Sequence, residues 1–227
     1  INKPGEVGLE LHINTTPNGQ SHISFDHERL TDRGFRITPE LSYGLTNDIE
    51  LGMYIPTIYS PEYGYELAGY KPRIKWIPLQ AKDNQPWSAG VNIEYAKLKT
   101  GMSESSKSAE IRFIFGYEGE SWRLAMNPIL EKNLSPRTEN TPELQTNFRA
   151  IFKRDGFLKG IGLEYYLSLG PYNNFHPQSE QAKQLFLVAE LEPNESLLKD
   201  WDIHLAAGSG WDGADPFTVK MILAPKL

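Results

Sequence analysis

Hydrophobic and polar residues alternate along most of this chain, regularly enough to predict β-strands. Within residues 43–56, two alternating runs meet at the polar turn 46–48. On the second run, residues 49, 51, 53 and 55 are apolar and share one face, and Glu50, Gly52 and Tyr54 share the other. This pattern predicts a hairpin with one apolar face and one polar face.

The same alternation recurs from one end of the chain to the other. It predicts about twelve strands of roughly ten residues each, and no stretch has the pattern of a long amphipathic helix. More than half of the chain would be strand, whereas an ordinary soluble domain is about a quarter strand. The chain also lacks a Gly/Ser-rich or Pro-rich linker, so we predict one all-β domain over residues 1–227. The predicted strands lie near residues 5–15, 34–45, 48–59, 68–79, 87–99, 107–117, 121–131, 142–153, 157–169, 182–192, 200–208 and 216–225.

The number of strands indicates which way the apolar face points. About eight strands already enclose an interior that side chains fill, so twelve strands with apolar residues inside would leave a dry void. With the apolar face outward, the same strands would enclose a polar lumen in lipid, where only a closed barrel satisfies the backbone. We therefore predict a closed antiparallel transmembrane β-barrel of about 12 strands. An even strand number places both termini on one side, which we predict to be the periplasm.

The connections between strands support this topology. Those after even-numbered strands are short, at residues 46–48, 81–86, 118–120 and 154–156. Those after odd-numbered strands are mostly longer, at residues 16–33, 60–67, 100–106, 133–141 and 170–181. Short turns at one rim and longer loops at the other are typical of outer-membrane barrels.

Aromatic residues are predicted to cluster at the rim with the short turns. Several begin a strand after a short turn and others end a strand at the same level, which predicts a belt at the periplasmic membrane interface. In the alternative interpretation, they are core residues of a soluble β-sandwich. The predicted belt consists of Trp87, Tyr117, Trp122, Phe152, Phe157 and Trp201.

Charged residues on the predicted lipid face are few, and prolines are the main conflict with the strand assignment. Lys97 and Lys159 are the charged exceptions, and both lie near strand ends, from which a lysine can reach the headgroups. Proline has no backbone N–H donor, so we expect bulges or strand ends near each proline that falls within a predicted strand. The prolines within predicted strands are Pro39, Pro56, Pro72, Pro78 and Pro128.

The polar face carries the candidate functional residues, because it would line the lumen and the path of a solute. Positive and negative charges are nearly balanced, which predicts mixed ion-pair networks rather than strong ion selectivity. The candidates are Arg36, Glu40, Glu50, Lys71, Arg73, Lys75, Glu94, Glu110, Arg112, Arg123, Arg149 and Glu164. Lys71, Arg73 and Lys75 form a basic ladder on one strand. The ladder either guides an acidic solute or neutralises neighbouring carboxylates, and we favour neutralisation. Closure of the barrel would place Lys220 beside Glu6 and Glu10.

Three stretches of the chain resemble a known family. Residues 39–56 followed by 71–76 are similar to the outer-membrane transporters grouped with the MetA pathway of phenol degradation, and residues 217–223 resemble the last strand of such barrels. The resemblance implies a barrel that passes small, often hydrophobic or aromatic, molecules. It implies no catalytic residues.

Composition narrows the function further. The chain has no cysteine, which excludes disulfides and thiolate chemistry, and its net charge of −6 argues against nucleic acid as a partner. We therefore predict a channel for a small solute in the bacterial outer membrane, without a metal or other cofactor. Its expected partners are outer-membrane lipid, lipopolysaccharide and the barrel-assembly machinery, and we expect a monomer.

The alternative is an outer-membrane enzyme, or a plugged barrel that binds through its loops. It depends on His22, Asp26 and His27 of the first long loop, which closure could bring near Asp212 and Asp215 of the last loop. A serine and histidine arranged as in a hydrolase are not evident.

Overall fold

The computed structural model describes residues 1–136, 140–193 and 200–225. These residues are all-β, and none of them forms a helix long and apolar enough to cross a membrane. Their fourteen strands are β1 (Val7–Asn18), β2 (Gly34–Gly44), β3 (Ile49–Tyr54), β4 (Thr57–Ser60), β5 (Gly64–Leu67), β6 (Gly69–Leu79), β7 (Trp87–Leu98), β8 (Lys107–Glu118), β9 (Trp122–Asn133), β10 (Glu143–Lys153), β11 (Leu158–Pro171), β12 (Lys183–Leu191), β13 (Trp201–Trp211) and β14 (Phe217–Pro225).

The strands form one closed antiparallel barrel. From β6 to β14 each strand pairs with the next one in sequence, β2 pairs with both β3 and β4, and β3 pairs with β6. β1 closes the ring by pairing with β2 on one side and β14 on the other. β3 and β4 together form one staggered barrel strand, and so do β5 and β6. The fourteen segments of the described residues therefore amount to the twelve barrel strands that the alternation predicts.

Proline accounts for part of this staggering. Pro56 occupies the break between β3 and β4, and Pro78 lies at a register shift between β6 and β7. Pro39 faces the first break from β2, where its carbonyl accepts a hydrogen bond from the Ile55 amide at 3.0 Å. The expected irregularities are therefore present at Pro56 and Pro78, whereas Pro72 and Pro128 keep their places within paired strands.

The two rims differ as predicted, with one correction. Short turns and both ends of the barrel lie at one rim, which we call the short-turn rim, and the connections 19–33, 99–106 and 172–182 lie at the opposite, long-loop rim. The predicted loop at 60–67 is wrong, because β4 and β5 continue as a hairpin with only residues 61–63 as its turn. Of the loop predicted at 133–141, residues 137–139 lie outside the described residues.

The outward face of the barrel is apolar. Ile74, Ile93 and Ile111 are paired across three neighbouring strands and are 52%, 52% and 42% exposed. The outward charges are confined to strand ends, where a lysine can reach headgroups. Besides the predicted Lys97 and Lys159, they include Lys107 and Lys132, which the alternation also places outward. Lys183 has the same phase but is 8% exposed, and its ammonium pairs with Asp212 at 2.6 Å.

A small apolar cluster lies on the inward side of β10–β13. Ile151, Phe186, Val188 and Ala206 are at most 4% exposed, and Tyr166 packs against them. Gly208 makes room for this cluster, because a Cβ there would lie 2.6 Å from the Phe186 ring. The inward face is therefore charged over most of its area, with one apolar region.

We predict that Ile93→Arg lowers the free energy of unfolding in lipid vesicles by about 2–4 kcal/mol, because it places a charge near the middle of a lipid-facing strand. Thr100→Arg is the matched control, since Thr100 is exposed in the loop after β7. Equilibrium denaturant titration measures both. A loss below about 0.5 kcal/mol for Ile93→Arg would indicate that this face contacts water.

Candidate functional site: the charged lumen

The basic ladder on β6 is paired with carboxylates, as we favoured. Arg73 bonds to Glu40 and, at 2.8 Å, to Glu50, and all three side chains are at most 5% exposed. Lys75 contacts Glu50 at 3.1 Å, and Lys71 contacts Glu94 at 3.0 Å. This group, Glu40, Glu50, Arg73 and Lys75, is called the first lumen cluster below.

The N-terminal segment folds into the barrel beside the first lumen cluster. The Asn2 amide donates to Glu50 Oε2 at 2.8 Å, and the Asn2 side chain donates to Ser42 Oγ at 2.8 Å. Gly44 permits this close approach, since a Cβ there would lie 2.1 Å from the Lys3 carbonyl oxygen. Residues 1–6 therefore narrow the lumen at the short-turn rim, which the alternation pattern does not indicate.

A second lumen cluster lies on the opposite wall. Glu164 is its centre, and Lys220 Nζ, His204 Nε2 and Arg149 Nε lie 2.9, 3.3 and 3.3 Å from its carboxylate. The prediction that Lys220 lies beside Glu6 and Glu10 is therefore wrong. Tyr166 joins the cluster, because its hydroxyl donates to Glu164 at 2.8 Å and accepts from Lys220 at 2.9 Å.

Glu190 extends the second lumen cluster toward the short-turn rim. It contacts Arg149 at 2.6 Å and Arg123 at 3.1 Å, and Arg123 also contacts Glu118 at 2.9 Å. Between the two clusters, Arg112 pairs with Glu110 at 2.9 Å. Eleven of the twelve predicted lumen residues thus form ion pairs with inward carboxylates or cations of the described chain. Arg36 does not.

Two cavities of the lumen share part of their walls, and a third, of about 360 Å³, lies between the N-terminal segment and the first lumen cluster. Of the two that share walls, the larger, of about 920 Å³, reaches the short-turn rim at Arg154 and Asp155, and the smaller, of about 240 Å³, lies nearer the long-loop rim and includes Arg36 and Asp215. Asn14, Tyr166 and Lys220 belong to the walls of both. These three side chains therefore separate the two cavities.

The first long loop crosses toward neighbouring loops at the long-loop rim. Gln20 donates to Asp215 and Ala214, and the Thr31 hydroxyl bonds to Asp215. On its other side, Arg29 contacts Glu66 at 2.9 Å and stacks over the Tyr63 ring at 3.4 Å. The approach of this loop to Asp215 is as predicted, although the contact is made by Gln20 and Thr31.

One set of potential metal ligands occurs among the described residues, and it is not in that loop. It consists of Glu10, His12 and Glu40, whose ligand atoms lie within 4.8 Å of one another. His12 Nε2 is 3.1 Å from Glu40 and 3.4 Å from Glu10, while Arg73 occupies the other oxygen of Glu40. This arrangement is that of a hydrogen-bonded ion-pair network.

The aromatic residues assigned to the belt lie at the short-turn rim of the barrel. Trp87 pairs with Tyr117 across strands with ring centroids 4.9 Å apart, and Trp122 pairs with Phe152 at 5.2 Å. Phe157 is 56% exposed after its turn, and Trp201 begins β13. An apolar groove of about 500 Å³ lies on the outward face of the barrel, between Trp87 and Tyr117 at one end and Leu185 at the other.

Comparison with solved structures finds outer-membrane channels and porins with the same fold. It is similar to an outer membrane channel from Pseudomonas putida F1, with a TM-score of 0.63 and 8% identity over 99% of this chain and 96% of that chain. The NanC porin gives a TM-score of 0.61 and 7% identity over 98% and 100%. The KdgM porin gives 0.58 and 8% over 97% and 99%. The fold is that of an outer-membrane β-barrel.

Sequence comparisons add no family to this result. No family model matches the chain, and no curated protein matches it. The resemblance to the MetA-pathway transporters therefore depends on residues 39–56, 71–76 and 217–223 alone. At these low identities the structural neighbours establish the fold, and the channel function is argued from the lumen below.

We predict that Arg73→Met lowers the free energy of unfolding by about 3–5 kcal/mol, because it leaves Glu40 and Glu50 buried with fewer partners. Arg33→Met is the matched control, since Arg33 is 74% exposed and contacts only the neighbouring Asp32 in the described chain, and we expect it to cost under about 1 kcal/mol. Denaturant unfolding measures both variants. Equal losses would contradict a buried network around Arg73.

Proposed function

We propose that this protein is a channel for a small solute across the bacterial outer membrane. The observation that carries the proposal is a closed barrel whose apolar face is outward and whose charged face surrounds two cavities. A charged, solvent-filled interior is expected of a pore and costly in a protein core. Transport is passive and involves no covalent step, so its determinants are width and the charges of the wall.

The width of the path is set where the two cavities meet. Asn14, Tyr166 and Lys220 line this constriction, and Lys220 is held there by Glu164. Because most inward charges are paired, the wall has little excess of one sign. With charges balanced in this way, we expect the channel to select solutes by size and shape rather than by the sign of their charge.

The hydrophobic or aromatic solutes implied by the family resemblance remain part of this proposal. Phe186 and Tyr166 line the smaller cavity, with ring centroids 5.6 Å apart in an edge-to-face arrangement. An aromatic solute would contact the Tyr166 ring, since Phe186 is only 1% exposed, while polar groups of the wall bind its hydrophilic part.

We place the short-turn rim and both termini in the periplasm, and the long-loop rim outside the cell. The aromatic belt at the short-turn rim supports this orientation, as do the outward lysines Lys97, Lys107 and Lys132 at the other rim. Lysines at that level suit the phosphates of lipopolysaccharide. The remaining expectations, insertion by the barrel-assembly machinery and a monomeric state, belong to the same proposal.

A plugged barrel is the second candidate, and the N-terminal segment is the observation that favours it. Residues 1–6 and the two lumen clusters reduce the open cross-section. Such a barrel would bind its ligand through the long-loop rim instead of conducting it.

We predict that Asn14→Trp lowers single-channel conductance in planar bilayers at least threefold, because it fills the constriction between the cavities. Ile13→Trp is the matched control, since Ile13 is adjacent on β1 and its alternation places it on the lipid face. We expect its conductance to equal that of the unmodified protein.

Two outcomes would contradict the channel. The first is an absence of current from protein shown to be folded and inserted, which supports the plugged barrel. The second is an equal loss of current for Asn14→Trp and Ile13→Trp, which would mean that the path does not pass Asn14.

A further inference from the structure

Arg36 differs from the other predicted lumen cations. It is paired across strands with Asn14 on β1 and its side chain is exposed to the lumen. Among the residues that the structure describes, its guanidinium has no ion-pair partner. Asp215 is the carboxylate that interacts with it electrostatically, but Asp215 Oδ1 already accepts from Gln20 and Thr31. A guanidinium therefore faces the smaller cavity with its donors available.

Thr218 provides a second, independent sign of an unfilled polar site. Its side chain is 7% exposed, it lines the same cavity as Arg36, and its Oγ1 has no hydrogen-bond partner. A buried hydroxyl without a partner is costly, so a ligand that accepts its hydrogen bond would gain binding energy. Asn14 and Gln184 add amide groups to this wall.

The rest of the cavity wall defines the chemistry of a ligand further. Lys220 lies at the constriction, where Glu164 already pairs with it at 2.9 Å, so Arg36 is the cation of this wall that has no ion-pair partner among the described residues. Tyr166 supplies an aromatic side, and the volume of about 240 Å³ has room for a small organic molecule rather than for a single water. A guanidinium binds a planar carboxylate through two parallel hydrogen bonds.

We propose that this cavity is a binding subsite for a small monocarboxylate with an apolar or aromatic body. Arg36 binds the carboxylate, Thr218 donates a hydrogen bond to it, and the Tyr166 ring contacts the apolar part. The proposal deepens the channel function proposed above, since the subsite lies on the solute path between the long-loop rim and the constriction.

Isothermal titration of the detergent-solubilised barrel with benzoate tests the subsite without requiring conductance. We expect saturable binding at one site per barrel, and at least tenfold weaker binding to Arg36→Gln. Thr218→Val removes only the hydroxyl and should weaken binding about threefold to tenfold. Benzyl alcohol, which has the same ring without the charge, should bind at least tenfold more weakly than benzoate.

Arg154→Gln is the matched control for the loss of one positive charge. Arg154 lines the larger cavity at the opposite rim and forms no side-chain ion pair within the described residues. We expect its benzoate affinity to remain within twofold of the unmodified protein. Heat-modifiable migration in gels confirms that each variant is folded before titration.

Three outcomes would overturn the subsite. They are absence of benzoate binding to the folded protein, equal affinity of Arg36→Gln and the unmodified protein, and equal weakening by Arg36→Gln and Arg154→Gln. None of them bears on conductance. Conductance without benzoate binding would support the channel and contradict the subsite. Benzoate binding without conductance would support the subsite within a plugged barrel.

Discussion

Every peptide group of a lipid-spanning strand needs a hydrogen-bond partner within the protein, because hydrocarbon offers none. In this barrel that requirement is met through closure, in which β1 pairs with both β2 and β14. Closure turns the alternation of each strand into two continuous surfaces, one apolar and one charged. The barrel stays closed at Pro56 and Pro78, because strand pairing continues on both sides of each proline. β2 pairs with β3 before Pro56 and with β4 after it, and β6 pairs with β7 on both sides of Pro78.

Enclosing the charged surface makes pairing of its charges necessary. A narrow lumen has few waters to solvate a carboxylate, so Glu40, Glu50 and Glu164 each bond to at least two cationic or hydrogen-bonding side chains. These contacts also fix the width of the lumen, since they hold Lys220 and Tyr166 at the constriction. Arg36 lacks an ion-pair partner and the Thr218 hydroxyl lacks a hydrogen-bond partner among the described residues, so a ligand bound between them would supply both.

Local alternation was sufficient to predict twelve barrel strands and the face on which their side chains lie, but not the hairpin of β4 and β5, which replaces the predicted loop at 60–67. The pairing of Lys71 with Glu94 and of Lys75 with Glu50 was also predictable, because these residues lie on adjacent strands with the same phase. Contacts across the lumen were not predictable. Lys220 on β14 contacts Glu164 on β11, and the order of the strands does not determine the distance between two strands that are not neighbours. The N-terminal segment was missed for a related reason. Its contact with Glu50 is made by the backbone amide of Asn2, and the pattern of hydrophobic and polar side chains does not indicate backbone contacts.

The most direct test of the whole account is an accessibility scan along β1 by electron paramagnetic resonance in lipid bilayers. The chain has no cysteine, so each introduced cysteine carries a single spin label. At Leu9, Leu11 and Ile13 we expect collisions with oxygen dissolved in lipid, and at Glu10, His12 and Asn14 we expect collisions with a water-soluble nickel chelate. An absence of alternation, or alternation in the opposite phase, would contradict a barrel with an apolar face in lipid and a charged lumen within.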